Sequence, residues 1–339
     1  MAHSRKRTPK WVVATVIPLA IAIVVSVALI ITNIFVPIRY LSAYLVTTNM
    51  VSEGEMRVSF LDVGMGDSAL VEFPDGKVML IDGGDGAYPH ELSLLKQLNS
   101  RGVNEIDFLI CTSVKGEHCG GLTEVLKYKA VKKAFIPYLL NTRINEDFHA
   151  FMTALNDNHV PFEYASVGVG YVDDDSDLFF TFLSPTDKDS QLSEYADMNA
   201  EPTAANIERA SIVTWLQYGK TAFAFTSDAR AETLENIVEK YETFKNAGQQ
   251  YCKIGNYSVQ LENCNVVTVA AHGGEKNSSA AWYDAIKPEV AIISVGANYS
   301  SLPSYKSVTD ALAYTRPLQT NEKGNIIISV KPTGYSIVG

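Results

Sequence analysis

From Trp11 to Ile38 the chain runs for 28 residues without a charge, as "WVVATVIPLAIAIVVSVALIITNIFVPI". No other feature limits its architecture as strongly, because about 20 consecutive apolar residues are enough to cross the hydrocarbon layer of a membrane. A cleaved secretory leader has a shorter apolar region, about 7–15 residues ending at a small-residue site, and this run continues well past that length. Arg5, Lys6, Arg7 and Lys10 precede the run and Arg39 follows it. That asymmetry places the N-terminus in the cytoplasm. Pro18 and Pro37 do not weaken the reading, since spanning helices tolerate proline where neighbouring groups re-satisfy the backbone. The expected organisation is a basic cytoplasmic tail over 1–10, a single-pass anchor over 11–38, a juxtamembrane linker over 39–54 and an extracytoplasmic domain over 55–339.

Five of the 28 basic residues lie before position 40 and none of the 38 acidic ones does. The remainder therefore carries 23 basic against 38 acidic residues, a net charge near −15. Such a surface repels polyanions at long range and disfavours nucleic acid as a partner unless a local basic groove exists. An apolar content of 47% suffices for a large packed core. Cys252 and Cys264 flank "KIGNYSVQLEN", which reads as a short strand pair able to bring them together, so a disulfide and two free thiols are both open in an exported domain. Cys111 reads as a buried strand residue.

"MRVSFLDV", "ALVEF" and "VMLIDGG", the last two joined by a "PDGK" turn, predict an opening β-meander. Leu92, Leu94, Leu95 and Leu98 have helical spacing up to Gly102, and "IDFLICT" is a buried strand. Helix and strand alternate as far as 159. Further strands are expected over 178–183, 211–218 and 221–226 and a helix over 230–243. A closing alternation follows: strand 265–271, helix 279–286, strand 289–295, helix 304–314 and strand 325–330. Two halves, each a sheet followed by helices, suggest a four-layer α/β sandwich over a doubly wound parallel sheet.

"FLDVGMGDSALVEFPDGKVMLIDGG", "IDFLICTSVKGEHCGGL", "SIVTWLQYGKTAFAFTSDA" and "VTVAAHGGEKNSSAAWYDAIKPEVAIISVGANYSSLPS" together resemble, in order and spacing, the metallo-β-lactamase-fold domain of the ComEC competence proteins. The resemblance implies a four-layer αββα metallo-β-lactamase sandwich, here preceded by one N-terminal transmembrane helix. It also implies one or two metal ions, usually zinc or manganese, phosphodiester hydrolysis and a link to DNA uptake.

Carried over residue by residue, the resemblance is partial. The family's T-H-x-H-x-D-H loop reads Thr112-Ser113-Val114-Lys115-Gly116-Glu117-His118, so both early histidines are replaced and a carboxylate and the last histidine stay. The family's G-D pair appears as Ser227-Asp228, its H-H-G-S as His272-Gly273-Gly274-Glu275, and its G-H-P as Ser301-Leu302-Pro303. The opening Asp62–Ser68 segment departs only by Met65, where glutamine is common.

A hydrolytic zinc-type centre needs about three protein ligands and an open position for water. A serine hydroxyl is a poor ligand and an ammonium has no lone pair, so the metal that depends on positions 113 and 115 is expected to be absent. Lys115 is placed to pair with Asp228 as a cation of lower valence. Glu117, His118, Asp228 and His272 remain as a set for at most one zinc or manganese ion. Asp67 is expected to hold its loop, while Asp82 and Asp85 either orient the loop toward the site or simply form a turn. His90, His149 and His159 lie in or beside surface-type helices and are weak ligand candidates. The glycine-rich "GMGDSA" lacks the G-K-[S/T] ending of a phosphate loop, and there is no G-x-S-x-G elbow.

Two functions stay open: a catalytically reduced or inactive binding or regulatory module with a protein partner, and a single-metal hydrolase of phosphodiesterase or nuclease type. In the second, Asp228 would hold the ion and Lys115 would offset charge developing on phosphate.

Overall fold

The computed structural model describes residues 17–35, 43, 51–87, 89–141, 143–186, 197, 199, 201–296 and 312–338. The chain divides into two compact units, Met1–Thr47 and Thr48–Gly339. In the first, helix α1 (Ile17–Phe35) takes up 19 residues of the uncharged run, with Leu19, Ile21, Val24 and Ile30 exposed. Among the described residues no helix is long and apolar enough to cross a membrane. The rest of the expected 11–38 span, on both flanks of α1, lies outside the described residues.

The second unit is two mixed sheets packed face to face. β1 (Met56–Phe60), β2 (Ala69–Glu72) and β3 (Val78–Ile81) form an antiparallel meander, turned between β2 and β3 at Gly76 with φ 86°. Helix α2 (His90–Ser100), β4 (Glu105–Ile106), β5 (Phe108–Ile110), α3 (Gly116–Tyr128), β6 (Ala130–Val131), β7 (Ala134–Ile136), α4 (Glu146–Asp157) and β8 (Phe162–Tyr164) follow. β5, β7 and β8 join β3 in parallel, and β4 pairs with β6.

The second half repeats the plan. β9 (Gly170–Asp173), β10 (Leu178–Ser184), β11 (Val213–Tyr218) and β12 (Thr221–Phe225) are antiparallel, with the short helix α5 (Ala204–Arg209) ahead of β11. Then α6 (Ala231–Asn246), β13 (Cys264–Thr268), α7 (Ala280–Ile286), β14 (Val290–Ile293) and β15 (Arg316–Gln319) extend the sheet in parallel. After α8 (Thr320–Lys323), β16 (Ile326–Lys331) returns beside β1 and β17 (Gly334–Ile337) closes that edge. The sheet orders are β17-β16-β1-β2-β3-β5-β7-β8 and β15-β14-β13-β12-β11-β10-β9.

Val58, Phe60, Val71 and Ile110 of one sheet interdigitate with Phe180, Phe182, Leu216 and Phe223 of the other to form the central core. The outer face of the first sheet is covered by α2, α3 and α4 through Leu94, Leu98, Leu122, Val125 and Phe151. The outer face of the second is covered by α6 and α7 through Leu234, Ile237 and Trp282. Strands with helices on one side and a sheet on the other are buried on both faces, which is why β10, "LFFTFLS", reads as a continuous apolar run.

Three sequence expectations change. Helix α3 starts at Gly116, so Glu117 and His118 sit on its first turn and not in a loop ahead of it. Cys252 and Cys264 are both free and buried, with a single bridge between Ile254 and Tyr257 in place of the expected strand pair. β17 lies beyond 325–330, the last strand expected from the sequence, and was not anticipated. The helix expected over 304–314 falls almost wholly outside the described residues, as do Ser301, Leu302 and Pro303.

Candidate metal centre

Several polar loops meet at the carboxyl ends of β3, β5, β12, β13 and β14, where α/β sheets place their ligands. Three of these loops are knitted by backbone. The Asp67 and Gly83 amides donate to the Glu117 and His118 carbonyls, at 3.3 and 2.8 Å, and the Gly121 amide donates to Gly84 O at 3.1 Å. This closeness depends on missing side chains: a Cβ on Gly121 would lie 2.0 Å from Gly83 O, and one on Gly120 2.4 Å from Asp85 O. The Gly-Gly pair therefore lets the first turns of α3 sit against the loop after β3, which carries His118 into the cleft.

Asp82 aims that histidine. It is buried at φ 59°, accepts from the Thr112 amide at 2.7 Å and from the Thr112 hydroxyl, and lies 2.8 Å from His118 Nδ1. A carboxylate on Nδ1 fixes the proton there and turns Nε2 toward the cleft. His272 is oriented the same way, its Nδ1 2.7 Å from the Ser294 carbonyl. Asp85 instead pairs with His90 at 3.0 Å, away from this cluster. Asp67 holds its loop through backbone bonds, and its carboxylate also lies 3.9 Å from His118 and 4.0 Å from His272.

Asp228 is fully buried at the centre. His118 Nε2 lies 3.2 Å and Lys115 Nζ 2.6 Å from its Oδ2, yet neither Asp228 oxygen has a partner at hydrogen-bonding angles. It does not cap α6, whose N-cap is Arg230 and lacks a side-chain bond. Lys115 also reaches Glu208 Oε1 at 3.3 Å and Glu117 Oε1 at 3.7 Å. Ser113 is buried and its hydroxyl accepts from the Lys115 amide at 3.4 Å. Four residues here, Asp82, Ser227, Ala271 and His272, hold positive φ between 44° and 59°. Such backbone costs about 1–3 kcal/mol per residue and concentrates at functional sites.

The charges are mutually dependent. Burial works against a proton on His118, but the Asp228 and Asp82 carboxylates on either side hold its pKa well above the imidazole range. Burial would raise Asp228, yet His118 and Lys115 keep it far below the usual carboxylate value. Burial lifts Asp82, only partly offset by His118. For Lys115 burial opposes the charge and Asp228 outweighs it.

Glu117, His118, Asp228 and His272 each offer a ligand atom, all within 4.8 Å of one another. That is close to the roughly 4 Å across a coordination sphere with ligands at about 2 Å. The Nε2 atoms of both histidines and both Asp228 oxygens are buried without hydrogen-bond partners. Two imidazoles and two carboxylates, three of the four residues offering buried atoms without a partner, fit one divalent ion. Asp67, Asp82 and His118 form a second such group, but there His118 Nδ1 faces Asp82 at 2.8 Å. His149 and His159 belong to neither group. Sequence reasoning did not single out Glu208: it lies in "ANIERA" ahead of β11, where no spacing marks it.

Two packed mixed sheets with this cluster at the strand ends define a metallo-β-lactamase-fold domain. Over 292 residues, 81% of its length, the chain is 25% identical to ComE operon protein 3 of Bacillus subtilis (strain 168). Over 283 residues, 80% of its length, it is 26% identical to Recombination protein 2 of Haemophilus influenzae. The chain thus carries a ComEC-like metallo-β-lactamase-fold domain. It spans about a third of the length of these curated relatives, 33% and 29%. Among solved structures, zinc-bound PqqB from Methylobacterium extorquens aligns at a TM-score of 0.43 and 14% identity, covering 75% of this chain and 85% of that one. No family profile matches the chain.

Proposed function

We propose that the chain is a single-pass, N-in membrane protein that displays outside the cell a ComEC-like αββα domain with one residual divalent-cation site. Its two-metal hydrolytic chemistry is lost, and the domain serves binding or regulation. The observation that carries this reading is the Lys115–Asp228 pair at 2.6 Å, an ammonium where the family's loop supplies an imidazole. Glu117, His118, Asp228 and His272 would hold a zinc or manganese ion, which when bound acidifies water and polarises oxygen ligands. The protein's own contributions are to aim both Nε2 atoms, through Asp82 and Ser294, and to bury Asp228. The uncharged run and its basic flank support the anchor and its orientation. The acidic remainder favours a protein over a nucleic acid as partner.

A second reading, a single-metal phosphodiesterase, draws on the same donor set, with Lys115 beside it to offset charge on a bound phosphate. The detergent-purified chain, assayed on bis(p-nitrophenyl) phosphate with zinc or manganese, is expected to show no metal-dependent turnover. Turnover abolished by Asp228→Ala would replace the first reading with the second.

A further inference from the structure

We propose that Lys115 is a tethered competitor for the cation site and that Glu208 is the carboxylate onto which its ammonium withdraws when an ion binds. This rests on the single-cation reading above. Lys115 has three carboxylate partners: Asp228 at 2.6 Å, Glu208 at 3.3 Å and Glu117 at 3.7 Å. Two of these belong to the ion's donor set and one does not. A divalent ion on Asp228 and Glu117 repels an ammonium at that range, so the ammonium must leave both carboxylates. Glu208 is ready to receive it. Arg230 holds the other Glu208 oxygen at 2.9 Å, which leaves Oε1 facing Lys115.

The side chain is free to make this move. It stems from the N-cap of α3, keeps 27% of its surface exposed, and already lies between the two acceptors. Asp228, by contrast, is fully buried and its oxygens have no hydrogen bond, so some cation has to compensate it in every state. In the ion-free state Lys115, beside the His118 imidazole, supplies that compensation, which keeps the buried carboxylate matched and sets a threshold for loading. Ion affinity then reports the difference between two lysine positions, a coupling between the site and Glu208.

The test is calorimetric titration of the detergent-purified full chain with zinc chloride and with manganese chloride. Four proteins are compared: the unmodified chain, Lys115→Gln, Glu208→Gln and the double variant, each checked by circular dichroism for folding. Lys115→Gln is expected to bind roughly tenfold or more tightly, because the competitor is gone, and Glu208→Gln to bind roughly tenfold more weakly. The double variant should match Lys115→Gln, since without an ammonium there is nothing to receive. Affinity in Lys115→Gln equal to or below that of the unmodified chain overturns the competitor role. A Glu208→Gln loss that persists in the double variant overturns the docking role, because Glu208 would then act on the ion directly. If none of the four proteins binds either ion, the single-cation reading itself fails, which is distinct from binding that is insensitive to Lys115.

Discussion

His118 is where the site's chemistry and the fold's stability meet, because one imidazole bridges two buried carboxylates, Asp82 at 2.8 Å and Asp228 at 3.2 Å. Its pKa is raised in the folded chain. The stability it contributes to the ion-free protein is therefore fully present below the unfolded value of about 6.5 and is lost as pH rises through the folded value. Thermal melts of the ion-free chain are expected to show a melting temperature that falls on the alkaline side of neutrality. His118→Gln should flatten that slope, and an unchanged slope in the variant would assign it to other groups. Metal binding runs the opposite way, since Nε2 must lose its proton before it can act as a ligand. Much of this residue-level chemistry was legible in the sequence: the acid–histidine pair, Asp228 and His272 follow the family's pattern. The role of Asp82 was open between orientation and a turn, and Glu208 was invisible, because only the fold brings α5 to the start of α3.

The elements depend on close backbone contact at two glycines. A methyl group on Gly121 would sit 2.0 Å from the Gly83 carbonyl, and no flexible side chain is there to yield. Gly121→Ala is expected to cost about 1–3 kcal/mol or more and to displace the first turns of α3. The checking measurement is the midpoint of denaturant unfolding, and a midpoint equal to that of the unmodified chain would contradict this packing. Strands were the most readable elements, since runs buried on both faces, such as β10, are continuously apolar. Helix α3 begins at Gly116, ahead of the Gly120-Gly121 pair that reads in the sequence as its opening, because in the fold that pair lies within the helix and permits close approach. β17 was hidden by Pro332 and Gly334, which shape its hairpin with β16.

At the scale of the whole molecule, the 28-residue uncharged run and the fold of Thr48–Gly339 are separate statements about one chain. If the run anchors it with the N-terminus inside, protease added to intact cells should digest the C-terminal domain and leave an N-terminal tag protected. The reverse pattern would contradict the orientation. For the domain itself, the proposal is one residual cation site in a cleft where Lys115 pairs with Asp228. Plasma mass spectrometry of the full chain, purified without chelator and dialysed against zinc and then manganese, tests this most directly. About one ion per chain is expected, lost in Asp228→Ala and in His118→Ala. Two ions per chain, or none with either metal, would overturn the single-cation site.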